Sequence, residues 1–100
     1  MSLAVVLAED QRLVILRTLS DVANYQLNEQ VLHSALKAIG HSVTHDVVRG
    51  HLQWLKDAGL VRIETLALPS GELWVAHLMA RGQDVAGGAH FPGVARLPAE

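Results

Sequence analysis

No cysteine occurs in the hundred residues, which excludes disulfides and thiolate metal ligands and fits a reducing compartment. Aromatic residues are scarce: Tyr25, Trp54, Trp74 and Phe91 are the whole set, so any core must be mainly aliphatic. No apolar run approaches the roughly 18 residues needed to span a bilayer. The opening Leu3-Ala4-Val5-Val6-Leu7-Ala8 lacks a basic flank and is too short for a signal core, so neither membrane insertion nor export is expected. A glycine-rich phosphate loop, a serine-centred elbow and a glutamate-rich metal motif are all missing, so neither catalysis nor a cofactor is expected. Positive charge is also short. Acids outnumber bases ten to eight, for a net charge of −2. Phosphate neutralisation by Lys and Arg supplies most non-specific DNA affinity, so any DNA role must rest on a local patch.

What is present is enough for one modest core. Half the residues are hydrophobic and 18% are charged, which excludes a mainly disordered chain and points to one domain. A first helix is predicted from Glu9 to about Val22, with an earlier start open, with Leu13, Leu16 and Ser20 on one side and Ile15, Leu19 and Val22 close by, a stripe wide enough to be largely buried; Glu9 and Asp10 would then favour the positive end of its dipole. Residues 23–27 read as a connection. Asn28 is a suitable cap for a second helix over Glu29–Ile39, stopped by Gly40, with Val31, Leu32, Ala35, Leu36 and Ile39 as its core stripe.

The third helix is predicted to start after Ser42 or Thr44 and to stop at Gly59. On a wheel of 3.6 residues per turn, Val48, His51, Leu52, Leu55 and Ala58 share one face, and Asp46, Arg49, Gly50, Gln53 and Asp57 oppose it. Leu60–Leu68 and Leu73–Met79 read as strands around a Pro69-Ser70-Gly71-Glu72 turn. Residues 80–86 suggest one more short helical segment, broken by Gly87-Gly88, before an extended end that can lie on the domain or on a partner. The expected fold is α+β, mainly α: a winged helix-turn-helix with a three-helix core, a β-hairpin wing, a short C-terminal helical segment and an extended tail. The expected division is a domain over residues 1–88 and a tail over 89–100.

Three stretches, LAEDQRLVILRTL, HSVTHDVVRGHLQWLKDAGLV and MARGQDVAGGAHFPGVARLP, resemble a family of small proteins from Mu-like phages and prophages. That family is placed by similarity among arsenic-repressor-type winged-helix regulators. The resemblance implies a DNA-binding or regulatory role in the cytoplasm of a bacterial host, and it brings no catalytic residues. The absence of cysteine means that thiolate metal sensing is not carried over.

If the third helix reads DNA, the groove contacts fall to Thr44, His45, Arg49 and Gln53, because Arg pairs with guanine and Gln with adenine edges. Lys56 and Arg62 would steady the phosphate backbone. The plain alternative is that these are solvated positions on a helix that must expose something, and Asp46 and Asp57 on the same face would repel phosphate. Six histidines raise a metal reading, but a cap at Ser42 or Thr44 leaves His41 outside the helix that holds His45, so no metal site is expected. His51 is expected inside as a hydrogen-bonded packing residue, and Trp54 and Trp74 as core rather than interface. The surplus of Leu3, Val5, Val6 and Leu7 suggests a homodimer. Partners are therefore duplex DNA or, on the rival reading, a phage or host protein that docks on a winged-helix scaffold acting as an adaptor in replication or assembly.

Overall fold

The structure is a computed structural model that describes residues 2–97. α1 (Leu3–Ser20) begins six residues before Glu9 because Ser2 caps it, its hydroxyl accepting the Val5 N–H at 3.2 Å. The Leu and Ala of the apolar lead-in are strong helix formers, so nothing stops the helix extending back to that cap. Glu9 and Asp10 therefore lie mid-helix, and their expected role at the dipole end falls away. β1 (Gln26–Asn28) occupies what reads in sequence as a plain connection. α2 (Glu29–Ala38) starts on Asn28, whose side chain accepts the N–H groups of Gln30 and Val31 at 2.9 and 3.0 Å. α3 (His45–Asp57) is capped by Thr44 rather than Ser42, and Gly59 turns the chain out of it with φ of +77°.

β2 (Val61–Leu68) and β3 (Gly71–Leu78) form an antiparallel hairpin in which Val61 faces Leu78 and Leu68 faces Gly71. The turn between the strands is Pro69-Ser70, tighter than the sequence suggests, and Gly71 takes φ of +129°. β1 adds to the other edge of β3, giving the order β1-β3-β2 with Gln26 against His77 and Asn28 against Val75. α4 (Ala80–Ala86) follows. Among the described residues the result is an α+β domain with four helices and one antiparallel sheet, compatible with a winged-helix-like layout.

Leu13, Ile15, Leu16 and Leu19 of α1, Leu32 and Leu36 of α2, and Val48, Leu52 and Leu55 of α3 converge with Leu60, Val61 and Ala76 into one core. Each such aliphatic side chain stabilises the fold by about 1.5–3 kcal/mol when fully buried. The α2 stripe is narrower than expected, since Val31 and Ile39 are exposed. Trp54 and Trp74 are half-buried against this core.

The described part of the C-terminal tail packs on the domain rather than leaving it. Val94 is buried, the Ala95 N–H donates to the Glu9 carbonyl, and Phe91 meets Trp54 edge-on at 6.0 Å. Gly93 has φ of +93°, and a Cβ there would lie 2.4 Å from the Trp54 ring, so only glycine fits.

Candidate functional site

α3 turns Val48, Leu52 and Leu55 inward, which leaves its opposite side as the surface available to a partner. Thr44 is exposed at the start, but its hydroxyl accepts the Val47 N–H. His45 lies on the His33 ring, centroids 4.1 Å apart and nearly parallel. His33 Nε2 is 2.7 Å from the Val43 carbonyl, which can only accept, so that nitrogen carries the proton. Gln53 is exposed and donates to Asp57, one turn on, at 3.0 Å. Lys56 is exposed in the last turn, and Arg62 is exposed on β2, level with His77. These five residues are spread along α3 and the base of the hairpin rather than gathered in one pocket.

Arg49 is differently placed. It is drawn across to the hairpin, where Nε and Nη2 donate to the two oxygens of Glu29 at 2.7 and 2.9 Å. Nη2 also donates to the Glu72 carbonyl at 2.9 Å, and the guanidinium lies over Trp74 at 4.6 Å. Glu29 is buried and its Oε2 accepts the Trp74 N–H at 2.7 Å. β1 ends at Asn28 opposite Val75, so the next backbone groups of β3 have no strand to pair with. The Glu29–Arg49 pair takes that place, the carboxylate receiving the Trp74 N–H and the guanidinium filling the Glu72 carbonyl. The Arg49 hydrogen bond holds the Glu29 carboxyl below its ordinary range against the opposing effect of burial, and the same bond raises Arg49. Arg49 is thus not the free solvent-facing side chain of the wheel. Glu29 was missed because its partner stands twenty residues away, and its position after a cap already accounts for an acid there.

Two clefts, each about 330 Å³, open on this side of the molecule. One lies between the hairpin tip and the first turns of α2 and α3, and its lining includes Glu29, Asp46, Arg49, Leu68, Glu72 and Leu73. Three carboxylates there face one guanidinium. Each helix start contributes roughly half a positive charge, which offsets part of that excess and leaves about one negative charge. Three of the first-turn N–H groups, those of Gln30, Val31 and Val47, are already engaged by Asn28 and Thr44. The second cleft is lined by His33, Lys37, Ser42, Val43 and Thr44 and carries no carboxylate.

Behind α3 runs a chain of side-chain hydrogen bonds. Arg12 Nη1 donates to the Gly93 carbonyl at 2.9 Å, while Arg12 Nε donates to His51 Nδ1 at 3.3 Å. His51 Nε2 donates to Gln11 Oε1 at 2.7 Å, Gln11 Nε2 reaches His41 Nδ1 at 3.4 Å, and His41 Nε2 donates to Asp10 at 2.7 Å. Because arginine only donates, the proton on His51 is fixed to Nε2 and the ring is neutral. Burial, aided by Arg12 and His41, lowers the His51 pKa to about 4. Burial also lowers that of Arg12, against the attraction of Glu9. The network ties α1, the α2–α3 turn, α3 and the tail together, and His51 is the buried packing residue expected from the wheel.

The comparisons with known proteins place this domain among phage proteins. The chain is 48% identical over 92 residues to the uncharacterized protein gp26 of Escherichia phage Mu, a match covering 91% of each chain. It is also 46% identical over 66 residues to an uncharacterized protein of Haemophilus influenzae, covering 66% of this chain and 64% of that protein. The chain belongs to the family of Mu gp26. No established family profile matches it. Among the described residues, no helix is long and apolar enough to cross a membrane.

Proposed function

We propose that this is a winged-helix protein of Mu-like phages that docks a protein partner through the face formed by α3 and the hairpin, as a non-catalytic adaptor in replication or assembly within the bacterial cytoplasm. The observation that supports this reading is the state of Arg49. The cation best suited to guanine or phosphate is held by a buried carboxylate, and the cleft beside it stays net negative. The hairpin tip points the same way: Leu66, Ala67, Leu68 and Pro69 are exposed and Glu72 is its charge, whereas a hairpin that grips phosphate needs Lys or Arg. Exposed aliphatic surface rimmed by charge suits a protein partner. The test is recovery of tagged protein from phage-induced cells after nuclease treatment. A stoichiometric protein partner is expected, and its absence across the lytic cycle would sink the reading.

The second reading is duplex DNA binding and transcriptional regulation, with Thr44, His45, Arg49, Gln53, Lys56 and Arg62 as contacts. It is favoured by the cleft beside the start of α3, where Lys37, Ser42, Thr44 and His33 meet without a carboxylate. An anisotropy titration of duplex DNA at low and moderate salt separates the two. The adaptor reading expects negligible affinity at both. The DNA reading requires affinity that falls with salt and drops on Lys56→Ala with Arg62→Ala. On either reading we assign a homodimer, held by the exposed lead-in of α1.

A further inference from the structure

The hairpin-tip cleft has two unlike walls. One is aliphatic: Leu68 and Leu73 from the two hairpin strands, with Leu66 alongside on β2. Leu66 and Leu68 remain 40% and 42% exposed, more than a hairpin built only to stabilise its own fold requires. The other wall carries Asp46 and Glu72, and neither forms an ion pair among the described residues. Arg49 closes the floor, yet its charge is spent on Glu29 and on the Glu72 carbonyl.

We infer that this cleft seats a segment of a protein partner that lays an aliphatic side chain on Leu68 and Leu73 and brings a lysine or arginine to Asp46 and Glu72. This rests on the protein-docking reading and names its occupant. An anion is disfavoured because the cleft keeps a net negative charge, and the caps already hold the N–H groups of Gln30, Val31 and Val47. A purely apolar segment would leave two carboxylates to be partly desolvated without compensation. A segment with both features satisfies both walls, and its charge sets partner choice while its aliphatic group supplies the buried surface.

A random-sequence peptide library selected on the full-length protein is the probe, with the enriched peptides then titrated and followed by backbone amide NMR signals. Enriched peptides should carry an aliphatic residue near Lys or Arg, shift the signals of Leu68, Glu72 and Leu73, and bind more weakly as salt rises. Glu72→Lys and Leu68→Ser, both exposed and expected to leave the melting curve unchanged, should each weaken them about tenfold. Enrichment of acidic peptides, failure to enrich any, or affinity indifferent to both variants overturns the proposal. Should the partner recovered from phage-induced cells bind both variants as well as the parent, the docking reading stands and this cleft is not its seat. Should no partner be recovered at all, the docking reading itself falls.

Discussion

His51 is neutral in the folded protein down to about pH 4, whereas in the unfolded chain it takes up a proton near pH 6.5. Between those values the unfolded chain binds a proton that the native protein refuses, so stability is complete above pH 6.5 and declines as pH falls toward 4. After allowance for solvent screening, the loss should be about 1–2 kcal/mol, read from urea melts across that window. His51→Gln retains an acceptor for Arg12 and a donor for Gln11 and should flatten the slope. Glu29 acts in the same direction at lower pH, since its lowered pKa gives stability that is present above the ordinary carboxylate range and lost below it. A double-mutant cycle on Glu29→Ala and Arg49→Ala should be strongly non-additive, because Arg49→Ala alone leaves a buried carboxylate unpaired and the second change removes it. The helical wheel places His51 correctly inside, but its partners Gln11 and Arg12 lie forty residues away, and no local pattern announces them.

α4 packs so closely on the start of β2 that Gly82 has no room for a side chain: a Cβ would lie 2.1 Å from the Leu60 carbonyl oxygen. Backbone cannot yield as a flexible side chain does. Gly82→Ala should therefore cost about 3 kcal/mol despite the better helix propensity of alanine, measured by thermal or chemical unfolding. The elements that are legible in sequence are those whose signal is local. Asn28, Gly40 and Gly59 mark helix ends, and Val61 to Leu68 alternates around a turn centred on Pro69 and Ser70. β1 is not legible, because three residues are too few to show a period and the strand exists only because β3 offers it an edge. The early start of α1 was readable from Ser2 as a cap, a signal masked by the acids at Glu9 and Asp10 that also suit a helix beginning.

For the whole molecule, the first two turns of α1 leave a debt of uncovered surface. Leu3 is 72% exposed, and Val5, Val6 and Leu7 are exposed beside it. A helix that is apolar all round is normally covered, and a second copy would cover it symmetrically. Sedimentation equilibrium should show a dimer that Leu3→Glu with Leu7→Glu turns into a monomer of unchanged far-ultraviolet circular dichroism; a parent that sediments as a monomer overturns this assignment. The site was less legible than the fold for a related reason. Arg49 sits on the outward side of its helix as the wheel requires, but whether it meets solvent depends on where the hairpin lies, which is set by the tertiary arrangement.

The filling of the β3 edge by Glu29 and Arg49 has a consequence for how copies of the protein behave when crowded. Bare strand edges recruit strands from other molecules, the first step toward amyloid-like growth, and proteins commonly guard them with charge. Here an ion pair from two helices does the guarding at the Trp74 N–H and the Glu72 carbonyl. Losing either partner would thus leave a chain that still folds in dilute solution but turns cloudy and thioflavin-positive on concentration, well before it melts.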